Sequence, residues 1–164
     1  MPSSSLRSFA LIGILAIGLS GCSVIENIFP AQAERDEETN EVQEAGEADV
    51  FTMAVGDCLN NQDADVVETI PAVPCSEPHD FEAYHSFDLT GGDEFPGLET
   101  IEAEADKGCY EAFPTFVGIA YEESTLDFSY FYPTEDSWAA ADREIMCIVY
   151  DAEPSTGTLA GAAR

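Results

Sequence analysis

Positive charge is nearly absent from this 164-residue sequence: five Lys and Arg stand against 33 Asp and Glu, a formal net charge of −28. A nucleic-acid binder neutralises phosphates with cations, so a field of this sign excludes that class. It also opposes docking onto anionic lipid through charge. Histidine occurs twice and tryptophan once. No apolar run reaches the roughly 20 residues that a membrane-crossing helix needs. Also missing are a GxSxG nucleophile turn, an HExxH zinc motif, a phosphate-binding glycine loop and a dinucleotide fingerprint. No enzymatic activity and no cofactor are therefore expected. Apolar residues still make up 45 %, which excludes a wholly disordered chain.

What is present begins with an export signal. Met1 to Arg7 carry one cation, and Phe9 to Leu19 form an eleven-residue apolar core, the length of a secretory signal rather than a span. Leu19-Ser20-Gly21-Cys22 looks like a bacterial lipobox: an aliphatic residue, two small ones, then the Cys whose thiol takes a diacylglyceryl group after cleavage before it. Cys22 is thus the expected lipidation site, and residues 1–21 the lipoprotein signal peptide. Three acyl chains would hold the protein at the cell membrane, on its extracytoplasmic face, far more firmly than one. Cleavage removes Arg7 and no acid, so the mature charge becomes −29.

Residues 22–49 are expected to form an acidic, disordered tether. Ala31 to Asp49 hold eight acids against one base, Arg35, with only scattered Val and Ala. Mutual repulsion and little apolar surface oppose ordering; a solvated helix over ERDEETNEVQEA is the alternative. Residues 50–164 form the expected domain, where aromatics and the other four Cys gather. Alternation predicts strands over Phe81–Leu89, with Phe81, Ala83, His85, Phe87 and Leu89 on the buried face, over Leu126–Tyr132, and over Glu144–Tyr150, with Ile145, Cys147 and Val149 sharing a face. Phe51–Leu59 and Val66–Val73 are less regular candidates. One helix is predicted from Pro96-Gly97 to Phe113, stopped by Pro114. Its apolar stripe is Leu98, Ile101, Ala105, Cys109, Ala112 and Phe113. The fold class is α+β: an antiparallel sheet with this helix packed on one face.

With Cys22 assigned to lipid, four Cys remain in an exported chain and should pair. Of three pairings, Cys58–Cys75 and Cys109–Cys147 are expected. The first two end adjacent strand candidates across a polar turn. Cys109 lies on the helix stripe, and Cys147 among the apolar positions of the last strand. Zinc sites favour CxxC-type spacing, which is absent, so no metal is assigned.

Two polar clusters are candidate ligand or partner sites. His79, Asp80 and Glu82 offer cation ligands, or a His general base oriented by a carboxylate as in a hydrolase. The competing reading makes Pro78-His79-Asp80 the turn that enters a strand. In the cluster Asp136-Ser137-Trp138 with Asp142-Arg143, Trp138 and Arg143 offer a stacked cation, or Arg143 an Arg–carboxylate pair, bracing the loop before the last strand; carbohydrate or peptide recognition is the alternative. His85, on the apolar face, reads as a core or edge His. The acidic loop Asp63-Ala64-Asp65 suggests calcium but lacks the Gly and closing Glu of the calcium loop.

The order Val55-Gly56-Asp57-Cys58-Leu59-Asn60, Val73-Pro74-Cys75-Ser76-Glu77-Pro78-His79-Asp80-Phe81-Glu82, Cys109, then Trp138, Asp142-Arg143 and Cys147 resembles the actinobacterial septum-formation domain family. Thr156-Gly157-Thr158-Leu159 looks like its closing small-residue segment. Relatives carry Gly where this chain has Ala141. The resemblance implies an exported or membrane-attached protein linked to septum formation, and no catalytic residue is carried over. The expected function is a lipid-anchored envelope protein binding a protein or cell-wall partner, with cation binding at His79, Asp80 and Glu82 as the alternative.

Overall fold

The computed structural model describes residues 31–62 and 68–164. The expected signal peptide, the lipidation candidate Cys22 and the Asp63–Asp65 loop lie outside the described residues. In chain order the elements are β1 (Glu34–Arg35), β2 (Val42–Glu44), β3 (Gly46–Asp49), a 3-10 turn at Val50–Thr52, β4 (Cys58–Leu59), β5 (Thr69–Val73), β6 (Phe81–Asp88), α1 (Leu98–Val117), a second 3-10 turn at Tyr121–Glu123, β7 (Asp127–Phe131), α2 (Glu135–Ala139) and β8 (Glu144–Tyr150). Six strands form an antiparallel sheet in the order β3-β5-β4-β6-β8-β7, and β1 and β2 form a separate hairpin. Helix α1 covers one face, so the α+β architecture is as the periodicity indicates.

Along α1 every fourth residue, Ile101, Ala105, Cys109, Phe113 and Val117, is buried, as a single stripe on a 3.6-residue helix requires. The helix does not stop at Pro114. It runs one turn further to Gly118, whose left-handed φ of 95° ends it. Proline costs the bond to the carbonyl four residues back. Here that residue is Tyr110, on the exposed side of the helix at 43 %, while Val117 is drawn into the core. Gly108 is required by packing: a Cβ there would sit 2.3 Å from Phe87 Cζ.

Both faces of β8 are buried. Ile145, Cys147 and Val149 join the helix-side cluster, and Met146 and Ile148 join a second cluster on the opposite face. Strand β6 departs from simple alternation. Its register with β8 shifts between Ala83 and His85, a bulge that places one extra residue on β6. Before it, Glu82 opposes Val149 and Ala83 opposes Ile148; after it, His85 opposes Cys147. The expected buried face is therefore split. Ala83 belongs to the second cluster, whereas Tyr84 and Phe87 pack on the helix side. The Tyr84 hydroxyl donates to the Cys109 carbonyl at 2.7 Å, and burial pushes its pKa up.

Residues 31–49 correct the expected tether. Strand β3 pairs with β5 from Gly46↔Ala72 to Asp49↔Thr69, and Val42 and Ala48 are buried. The chain at residues 31–33 crosses over Gly46, where a Cβ would lie 2.4 Å from the Ala33 nitrogen. The single base of the stretch is decisive. Arg35 donates to both carboxylate oxygens of the buried Asp57, at 2.6 and 2.7 Å. Segment composition misleads because the acids face outward, while ordering comes from strand pairing and one bidentate ion pair.

Candidate functional site

Both disulfides are present as expected. Cys109 and Cys147 tie α1 to β8, with Cα atoms 5.6 Å apart. Cys58 of β4 and Cys75, just beyond β5, are linked with Cα atoms 5.2 Å apart. The two bridges sit in different surroundings. Cys109–Cys147 lies inside the aromatic and aliphatic core. Beside Cys58 lie two buried polar side chains, His79 and Glu82, and the three ligand atoms fall within 4.8 Å of one another.

The positions of these groups follow from the strands. Cys58 and Glu82 are direct cross-strand partners, which puts their side chains side by side on one face. His79 precedes β6 in the expected turn, and is fixed by an isolated antiparallel bridge with Ser155, in which each N–H donates to the other's carbonyl at 2.9 and 2.8 Å. Its Nδ1 lies 2.9 Å from the Glu77 carbonyl. That oxygen can only accept, so Nδ1 carries a proton, and in the neutral ring Nε2 is the lone-pair nitrogen. His79 is fully buried, and Nε2 has no hydrogen-bond partner. The Glu82 carboxylate accepts from Thr158 Oγ1 at 2.6 Å and from the Leu159 N–H at 2.5 Å. No cation pairs with it among the described residues. The Thr156–Leu159 segment thus closes the site, with Gly157 N–H also donating to the Cys75 carbonyl. A cleft of about 650 Å³ opens onto Cys58, Cys75, Glu82 and Thr158.

Asp80 does not join this cluster. Its carboxylate accepts from the Asn61 N–H at 2.8 Å and fastens the β4–β5 loop. The expected His79, Asp80 and Glu82 trio is therefore divided, and Cys58 takes the place of Asp80. His85 is half-buried and stacked on Phe87, with ring centroids 5.6 Å apart.

Trp138 and Arg143 form a brace. A capping box between Thr134 and Ser137 starts α2, which delivers Trp138 to the core at 2 % exposure. The Arg143 guanidinium lies 3.7 Å from the Trp138 ring centroid, and donates to the carbonyls of Trp138, Asp142 and Gly92 at 2.8, 2.6 and 3.1 Å. Asp142 instead accepts from Ser137 Oγ and the Glu144 N–H. Of the sequence alternatives, the stacked cation is present and the Arg–carboxylate pair is not. Ala141, just before, has φ of 73°, the left-handed conformation that favours Gly.

On the sheet face opposite α1, a groove of about 420 Å³ is lined by Phe51, Met53 and Met146 and rimmed by Glu68, Asp136 and Glu144. Phe51 is 65 % exposed at its edge. This groove was not legible in the sequence, because its residues come from four separated segments. Among the described residues, no helix is long and apolar enough to cross a membrane.

A six-stranded antiparallel sheet stapled to one helix and closed by its own C-terminal segment defines a small disulfide-stabilised α+β domain. The model of the family described as septum formation matches residues 22–147, and the chain belongs to that family. The match starts well before residue 50, in agreement with the ordered strands of the N-terminal arm. No curated protein and no solved structure matches the chain.

Proposed function

We propose that this chain is a non-enzymatic, lipid-anchored protein of the cell envelope that binds a basic segment of a partner protein during septum formation. The observation that carries this reading is the groove opposite α1. An exposed Phe51 and two Met side chains offer an apolar floor, and Glu68, Asp136 and Glu144 supply a rim of one sign. Lys and Arg side chains suit such a site, because their stems cover apolar surface while their heads meet carboxylates. Family membership supports the link to septum formation, and the Leu19–Cys22 lipobox supports attachment at Cys22.

Complementation in a depletion strain tests it. Wild-type chain restores normal septum spacing. Phe51→Asp combined with Met146→Ser, at unchanged protein level, fails to restore it, as does Cys22→Ala, which also loses labelling by a fatty-acid probe. Normal septa on depletion, or full rescue by the groove variant, overturns the reading.

A further inference from the structure

The buried polar cluster beside Cys58 is unexplained by a partner-binding role. His79 Nε2 is a lone pair in the protein interior without a donor. Glu82 is a carboxylate 2 % exposed with two hydrogen bonds and no cation nearby among the described residues. A buried ring nitrogen without a partner and a buried carboxylate without a counter-charge are each costly. A histidine whose one ring nitrogen donates to a backbone carbonyl while its ring lies within reach of sulfur and carboxylate has the arrangement of a metal ligand with its orienting contact. What stands in the way is the disulfide, since a metal binds thiolate and not disulfide sulfur.

We propose that reduction of Cys58–Cys75 turns this pocket into a zinc site whose four ligands are the Cys58 and Cys75 thiolates, His79 Nε2 and the Glu82 carboxylate. Two thiolates, one imidazole and one carboxylate are a tetrahedral zinc set. The ligand atoms of Cys58, His79 and Glu82 already lie within 4.8 Å of one another, and Cys75 is bonded to Cys58. The reductant is a dithiol. It delivers two electrons and two protons to the S–S bond and leaves as a disulfide; zinc then displaces the two thiol protons to solvent. The same 650 Å³ cleft gives reductant and metal a path, since it is lined by both Cys58 and Cys75. Cys109 and Cys147 are both fully buried, so a dithiol meets Cys75 first. The site therefore switches between a covalent and a metal crosslink of the same strands.

The test uses the full chain carrying Cys22→Ser in mild detergent, reduced briefly with a dithiol, with alkylation and mass mapping to confirm that Cys58 and Cys75 open first. Cobalt(II) added to the reduced chain gives thiolate-to-metal charge-transfer absorption, which one equivalent of zinc abolishes; the oxidised chain gives none. His79→Gln weakens zinc at least about tenfold, and Glu82→Gln does so by less. Cys75→Ser, which frees the Cys58 thiol without any reductant, shows the one-thiolate cobalt spectrum. Where reduction loosens the fold, zinc restores cooperative melting and a chelator removes it again. Absence of thiolate bands in both the reduced chain and Cys75→Ser, equal affinity in His79→Gln, or a reduced chain that stays unfolded with zinc overturns the proposal.

Discussion

The two disulfides are the same bond in opposite settings. Cys109–Cys147 closes a separation of 38 residues between a helix and an inner strand of the sheet, and lies within the helix-side hydrophobic core. Cys58–Cys75 closes 17 residues between neighbouring strands, and is flanked by His79, Glu82 and an open cleft. Loop-closure entropy assigns about 4 kcal/mol to the first and about 3 kcal/mol to the second. That gap is small, so crosslinking alone does not separate them. Surroundings do: one bridge fixes the core, and the other sits beside the buried polar pair His79 and Glu82.

The comparison is broken most directly by removing the core bridge. Cys109→Ala with Cys147→Ala is expected to cost about 4–6 kcal/mol, the loop term plus the voids left in the core. Denaturant unfolding of the double variant measures it, and a loss below that of the corresponding Cys58 and Cys75 variant contradicts the ranking. The next largest effect lies beside Cys58. Asp57→Asn removes the negative charge that Arg35 grips and replaces one acceptor oxygen by an NH2 donor, so Arg35 loses its bidentate partner. A loss of about 2–3 kcal/mol follows, discounted because Arg35 is 18 % exposed. Hydrogen exchange should rise first in Glu34–Asp49; uniform loss of protection across the sheet would mean that the arm is not a separate unit.

Ala141→Gly sharpens the core side. It relieves a φ of 73° in the turn that leads into the strand of Cys147, and should stabilise the fold by about 1 kcal/mol. An unchanged midpoint in denaturant contradicts this. The mildest probe is alkaline pH, which addresses the helix-covered face. The hydrogen bond to Asp127 raises Tyr121 to about 12, and burial raises Tyr130 to about 12. These phenols hold their protons more tightly folded than in the unfolded chain, where the value is near 10. The stability they contribute is complete below about pH 10, and disappears as pH climbs to about 12. Melting temperature should therefore fall over that interval, together with delayed phenolate absorption. A flat melting temperature across it refutes the assignment.

What the sequence disclosed depended on how local the cause was. Strand β8 and the stripe of α1 were legible because each is written in one uninterrupted periodic segment, and the Cys pairing followed from those two stripes. The buried face of β6 was misread because a bulge is set by the partner strand, not by the strand itself. Pro114 reads as a stop in isolation, whereas the helix runs on one turn and carries Val117 into the core. The order of Glu34–Asp49 escaped because its cause is Asp57, 22 residues from Arg35. The candidate site was half legible. His79 and Glu82 stood out as polar residues at a strand entrance, but the closure of Glu82 by Thr158 and Leu159 spans 76 and 77 residues, and Asp80 leaves because its carboxylate is held by the Asn61 N–H, 19 residues away in sequence.

The docked N-terminal arm fixes a distance. If Cys22 is acylated as proposed, only Ser23 to Pro30 separate the lipid from the arm that begins at Ala31. Those eight residues reach at most about 30 Å, roughly one small-domain diameter. A basic segment that engages the groove must therefore come from a neighbour lying close above the leaflet, and cell-wall layers farther out are beyond its leash.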